Sequence, residues 1–193
     1  LDLMRFVKSL LRDDHEIVLI KYFASRVIDK SPDHHRSARQ DKYFDALRNR
    51  PCIEVIEGYY REKKERMEAA DQVCRECDRS PRPGYVRGFR TTEKLTDVNI
   101  ATEMLKDVYE QRADAYVLIS GDSDLSRAVR IVRYSIKKPI LVFNPQRGIC
   151  NELRKYSTLY RNLEVGCTAG CRLPDSFAAA DGRMIHCPEA WRA

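Results

Sequence analysis

No run of about 18 consecutive apolar residues occurs in this 193-residue chain, so no membrane-crossing helix is expected. The start lacks a cationic stretch leading into an apolar one, so no signal peptide is expected. The chain opens on Leu1 rather than Met, which leaves room for sequence upstream. Glycine patterns of the GxGxxG and Walker A kinds are missing, which excludes the nucleotide-binding folds that depend on them. Only four histidines are present, His15, His34, His35 and His186, and none is spaced with a serine or cysteine as a hydrolytic triad requires. There are no internal repeats and no long low-complexity tract.

Seven cysteines are an odd number in a chain too long for a small disulfide scaffold. They point to free thiols in a reducing compartment, and so to the cytoplasm. Lysine and arginine number 35 against 29 aspartate and glutamate, giving a formal charge of +6 and a pI near 9.0. That balance suits a polyanionic partner, and equally an ordinary basic surface. With 43% hydrophobic and 33% charged residues, the composition is that of one globular domain with a real core.

Periodicity supplies the elements. Leu3, Phe6, Val7, Leu10 and Leu11 mark a helix over residues 1–11, and the apolar run over 17–24 reads as a strand buried on both faces. A second helix spans 37–48, with Ala38, Tyr43, Phe44 and Leu47 facing inward. Residues 53–60 form the next strand. The segment 61–90, rich in charge, proline and glycine, reads as a long hairpin or loop leaving the sheet. A helix over 97–110 carries the stripe Ala101, Met104, Leu105 and Val108. Strand 116–120, helix 125–135, strand 139–143 and helix 150–156 follow. Strands alternating with helices imply an α/β fold with a mainly parallel sheet. Beyond 166 the pattern fades, and the tail is expected to be irregular, with Trp191 pinning it to the domain.

Ligands of open α/β sheets sit beyond the carboxyl ends of the strands. The strand over 116–120 runs off such an end into Gly121, Asp122, Ser123 and Asp124, and Gly121 permits a sharp exit. Asp97 opens the preceding helix. Aspartate also caps helices, so each of the three has an ordinary structural explanation. Their coincidence at one sheet edge is what points to chemistry. Three converging carboxylates raise one another's pKa unless a cation compensates, and Mg²⁺ or Mn²⁺ suits an all-oxygen site. Ser120, Ser123 and Asn99 are the neighbours placed to orient such ligands.

Cys74 and Cys77 have the spacing of half a zinc site, with no second half nearby. Zn²⁺ there is one reading and free thiols in a loop the other. Cys167 and Cys171 are a weaker pair. Basic residues crowd the 61–90 excursion, which leads directly to Asp97. Lys94, Arg90 and Arg87 are candidate phosphate contacts for RNA, and Tyr85 and Phe89 candidate stacking partners. A solvated charged loop explains the same composition.

The motif Glu93-Lys94-x-Thr96-Asp97-Val98-Asn99-x-Ala101, with Ser120-Gly121-Asp122-Ser123-Asp124-Leu125 after it, resembles the NYN domain family (LabA-like), a branch of the PIN-like nucleases. Tyr22-Phe23-x-Ser25, Gln40 with Tyr43, Asn144-Pro145, Leu173-Pro174-Asp175, Pro188 and Trp191 extend the resemblance along nearly the whole chain. It implies a Rossmann-like three-layer fold with strand order 3-2-1-4-5. It also implies a metal-dependent ribonuclease in which Asp97, Asp122 and Asp124 hold Mg²⁺ or Mn²⁺. On this reading residues 1–165 are the NYN domain, with the Cys-containing basic excursion at 61–90, and 166–193 are the tail. The partner is RNA, not a membrane, and pairing with a second copy is left open. Family members open with a strand ending in Asp-Gly-x-Asn, and this chain begins at the helix after it, so the first, central strand is expected to be missing. The alternative is a non-catalytic RNA-binding or regulatory module with a degenerate site. A Toprim-like phosphotransfer domain would need a glutamate beyond an early strand, and Glu57 lies within one.

Overall fold

The computed structural model describes residues 1–29, 33–68 and 85–192, with the backbone alone at 68, 85 and 86. No helix among them is long and apolar enough to cross a membrane.

Helix α1 (Leu3–Leu10) is capped by Asp2, whose carboxylate accepts the Arg5 N–H at 3.2 Å. Leu3, Phe6 and Val7 form its buried stripe. Strand β1 (Ile20–Ser25), helix α2 (Arg36–Arg48) and strand β2 (Ile53–Glu68) make a βαβ unit in which β1 and β2 pair in parallel. Past Gly58, β2 leaves the sheet and β3 (Tyr85–Lys94) returns antiparallel to it, from Glu68 opposite Tyr85 to Tyr59 opposite Lys94. The basic excursion is therefore a two-stranded ribbon over its described length.

Helix α3 (Thr96–Tyr109) leads to β4 (Tyr116–Ile119). A 3₁₀ turn (Ser123–Leu125), a short helix α4 (Ser126–Arg130) and a π-helical turn (Ile131–Ser135) replace the single expected helix over 125–135. Strand β5 (Ile140–Asn144), helix α5 (Asn151–Tyr156) and β6 (Leu159–Asn162) follow. Strands β4, β5 and β6 form a parallel sheet in that order. At four residues with polar Arg161 and Asn162, β6 is too short and too mixed to register as an apolar run.

The tail is more regular than its sequence suggests. Strands β7 (Ser176–Ala178) and β8 (Met184–His186) form a hairpin before a 3₁₀ turn (Glu189–Trp191). Ala179 and Ile185 pack on Ala46 of α2, Arg183 grips Asp45 at 2.7 and 3.0 Å, and Trp191 meets Tyr43 edge-to-face at 6.3 Å. Three-residue strands carry too little periodicity to be read from sequence.

The fold is mixed α/β with mainly parallel pairing, but the sheet is split. Among the described residues β1 and β4 are each the edge of their own sheet. What joins the halves on the side of α3 is Lys21 of β1, which donates to Glu103 at 2.8 Å and Asp107 at 2.6 Å. Val117 and Ile119 of β4 remain exposed, although strands of parallel sheets are ordinarily covered on both faces.

Candidate active site

The carboxyl end of β4 is shaped by its neighbour β5. Asn144, at the end of β5, is fully buried. Its Nδ2 donates to Gly148 O and to the Tyr160 hydroxyl, both at 2.7 Å, and its Oδ1 accepts the Gln146 N–H at 2.8 Å. This network presses the loop after β5 onto Gly121. A Cβ at Gly121 would meet Asn144 Oδ1, and the Gln146 side chain at 2.6 Å. Glycine is required here by close approach rather than by the sharp exit expected of it; its φ is not positive.

From Gly121 the chain enters the 3₁₀ turn. The Asp122 N–H donates to Ser120 Oγ at 3.1 Å, and Asp122 Oδ1 accepts the Asp124 N–H at 2.9 Å. Asp122 thus caps the turn with one of its carboxylate oxygens. Asp124 is exposed.

Asp97 arrives from the other half. The ends of β1 and β3 meet the middle of β2, at Gly58, beside the start of α3, where Ser25 Oγ lies 3.2 Å from Thr96 Oγ1 and Thr96 Oγ1 donates to Glu93 at 2.6 Å. Buried Gly58 makes this meeting possible: a Cβ there would lie 2.6 Å from Ser25 Oγ, 2.7 Å from Lys94 O and 2.8 Å from Thr96 Oγ1. Leu95 turns the corner in the left-handed region at φ 74°, an uncommon conformation for a leucine. Its carbonyl accepts the Asn99 N–H at 2.7 Å. Asp97 follows in the first turn of α3.

The consequence is electrostatic. The Asp97 pKa is raised above its usual 3.8, first by burial and then by the charges of Asp122, Asp124 and Glu93. The three aspartates predicted from sequence are therefore brought close enough to act on one another. They do not close into a ligand cage: among the described residues no group of three or more His, Cys, Asp or Glu side chains is arranged to hold a metal ion. Glu93 is an acidic neighbour to which sequence assigned no role. Its spacing to Thr96, which hydrogen-bonds it, was the available signal.

Of the expected neighbours, Ser120 steadies the Asp122 turn, whereas Asn99 and Ser123 make no side-chain hydrogen bond among the described residues. Lys94 is exposed and is not among the groups acting on Asp97; Arg90 lies 3.5 Å from Glu65. The β2–β3 register places Arg87 on the face of the ribbon opposite to Arg90 and Lys94. Cys74 and Cys77 lie outside the described residues, as does the side chain of Tyr85. Cys52, Cys150, Cys167, Cys171 and Cys187 are free thiols.

The chain is similar to known proteins. It is 29% identical over 181 residues to the 6-hydroxy-3-succinoylpyridine 3-monooxygenase HspA of Pseudomonas putida. The match covers 89% of this chain, which spans 57% of that relative's length. A crystal structure of a Vibrio parahaemolyticus protein of unknown function superposes with a TM-score of 0.43 at 17% identity, covering 75% of this chain and 69% of that one. The family model of the NYN domain matches residues 2–164 and so takes in both halves of the split sheet and all three aspartates, and the chain belongs to the NYN domain family.

Proposed function

We propose that this chain is a metal-dependent ribonuclease that hydrolyses RNA phosphodiesters at Asp97, Asp122 and Asp124. One observation carries the reading: Asp97, at the start of α3, lies near enough to Asp122 and Asp124, after β4, for their charges to act on it. Such a concentration of negative charge beyond the strand ends favours a cation. The donor set, all carboxylate oxygen, fits Mg²⁺ or Mn²⁺. Zn²⁺, which takes thiolate ligands, would suit Cys74 and Cys77 instead.

Asp97, Asp122 and Asp124 would hold that cation. When bound it supplies Lewis acidity at the phosphate. The chain's own residues do the positioning. Ser120 fixes the backbone of Asp122, Asn144 and Gln146 press on Gly121, and Ser25, Thr96 and Glu93 fix the start of α3. Water attacks phosphorus in line with the departing 3′ oxygen, leaving a 5′-phosphate and a 3′-hydroxyl.

The edges of β1 and β4, unpaired among the described residues, belong to the same reading. A strand between them, ending in the Asp-Gly-x-Asn of the family pattern, would join the sheets, cover Val117 and Ile119, and bring a further carboxylate to the site. The open β4 edge and the unclosed ligand group favour a second reading, a non-catalytic RNA-binding or regulatory module. The monooxygenase name of the Pseudomonas relative adds oxygenation of a hydroxylated N-heterocycle as an outcome to be checked.

The test is RNA cleavage by the full-length protein with Mn²⁺ and with EDTA. Cleavage is expected only with Mn²⁺, and Asp122→Asn should lower it at least about 100-fold, the scale on which one lost charge-stabilising group acts. Cleavage unchanged in that variant removes the site. Intact RNA with turnover of a hydroxypyridine selects the oxygenase reading.

A further inference from the structure

The β2–β3 ribbon carries two different faces. Side chains on a strand alternate, and residues opposite one another across an antiparallel pair share a face. The register therefore sorts the ribbon without ambiguity. One face holds Lys94, Arg61, Lys63 and Arg90, with Glu65 as its single carboxylate, and Tyr59 at its base. The other holds Lys64, Arg66 and Arg87 against Glu62 and Glu93, with Phe89.

The difference lies in pairing as much as in count. On the second face Thr91 donates to Glu62 at 3.3 Å, and Lys64 sits over the Phe89 ring at 5.4 Å. Glu62, Arg66 and Thr91 all have further interactions. On the first face only Arg90 meets a carboxylate, Glu65 at 3.5 Å. Arg61, Lys63 and Lys94 are exposed and have no partner among the described residues. Tyr59, 50% exposed, is an open aromatic surface beside them.

We propose that this face of the ribbon docks single-stranded RNA, with Arg61, Lys63 and Lys94 on phosphates and Tyr59 under a base. The proposal rests on the reading that the chain handles RNA, and it assigns to the ribbon affinity rather than chemistry. Successive side chains on one face of a strand are about 6.8 Å apart, so the cations form an extended row rather than a point. A row of unpaired charge fits a polyanion, and an exposed ring at its base fits an unstacked nucleobase, which a duplex does not offer. The row begins at Lys94, three positions before Asp97, so RNA held there enters beside the acidic cluster. Arg87 does not belong to it.

The experiment measures fluorescence anisotropy of a labelled 20-nucleotide RNA with the full-length protein in EDTA, across a salt series. R61Q/K63Q and K64Q/R87Q remove the same charge from opposite faces. The first should weaken binding about tenfold or more at low salt. It should also flatten the slope of log K against log salt by about 1.4, that is 0.7 for each of two phosphates on a single strand. The second should change affinity less than about threefold. Tyr59→Ala should weaken single-strand binding about tenfold. Equal losses from the two faces, or a duplex bound as tightly as the single strand, overturns the proposal, with circular dichroism confirming that each variant folds. Because binding is read without metal, the outcomes separate. Loss of Mn²⁺-dependent cleavage with the face effect intact sinks the nuclease reading and leaves the surface; cleavage with no face effect does the reverse.

Discussion

The β1–β2 and β4–β5–β6 halves solve the same problem by different means. The β4–β5–β6 half is a dry core: Val108, Leu118, Leu125, Val129, Val132, Ile140, Val142 and Leu153 form one buried cluster drawn from strands and helices alike. The β1–β2 half is built on smaller clusters, Leu3 with Leu47 and Ile53, and Ala46 with Ala179 and Ile185, beside the fully buried Phe44. Ion pairs link the elements there. Glu57 joins Arg26 at 2.5 Å and Arg48, Arg183 joins Asp45, and Lys21 crosses to Glu103 and Asp107. Burial of Lys21 pulls its pKa down, and its hydrogen bonds to Asp107 and Glu103 outweigh that and leave it raised. One half is held by a single large apolar cluster, the other by smaller ones with ion pairs reaching to neighbouring elements. The acidic site lies where they meet, Asp97 from one side and the Asp122 turn from the other.

The contrast can be broken most directly in the core. Leu118→Ala should cost about 3 kcal/mol, because Leu118 is 6% exposed inside the large cluster. Leu3→Ala, in the small cluster at 8% exposed, should cost less, about 2 kcal/mol, since its surroundings can collapse more easily. Urea unfolding monitored by circular dichroism measures both. Equal losses would mean that the halves do not differ in the way described.

A second experiment sharpens the electrostatic side. Lys21→Met takes from Glu103 its ion-pair partner and leaves Asp107 with Arg112 at 3.6 Å. Removing one partner of a buried pair costs about 3–5 kcal/mol. Glu103 retains 30% exposure, so solvent screens part of that and about 2 kcal/mol is expected at pH 7. The pH dependence fixes the cause. The Glu103 pKa is lowered from 4.5, first by the hydrogen bond from Lys21. Its contribution is therefore present above the unfolded pKa and is lost as pH falls through the lower folded value. Wild type should lose stability below about pH 4.5 while Lys21→Met has little left to lose, so the gap between them closes. A gap constant down to pH 3 would point to lost packing of the lysine stem instead.

The legibility of these halves in sequence follows from the same physics. Helices α1 and α3 and strands β1, β4 and β5 carry enough apolar periodicity to be read within a few residues. Strand β6 and the β7–β8 hairpin are held by a βα crossover and by packing on α2, neither of which leaves a periodic trace. The nearness of the three aspartates was legible because the carboxyl ends of strands in an α/β sheet lie along one edge. Glu93 was visible as a residue but not as a neighbour, since its proximity to Asp97 depends on the Leu95 corner and on Gly58. Arg87 fails as a companion of Arg90 for a simpler reason. Alternation along β3 is certain only once its pairing with β2 is known, and a one-residue slip reverses every face.

The smallest effect tests the junction itself. The Asp97 pKa is raised, so between its unfolded value of 3.8 and the higher folded value the unfolded chain has already lost a proton that the fold retains. Stability from this group falls as pH rises through that window and stays lower above it. Asp97→Asn should therefore raise the Tm in EDTA at neutral pH, by less than about 2 °C given how exposed the carboxylate is. An aspartate in the first turn of α3 whose main work is to complement the helix dipole predicts the opposite sign, a lower Tm in the variant. Mn²⁺ separates the two further. It should raise the wild-type Tm by mass action and leave Asp97→Asn nearly unmoved, because the variant gives up the repulsion and the cation together. Calorimetry with and without Mn²⁺ thus reads from one residue whether this end of the sheet was built to cap a helix or to gather charge around an ion.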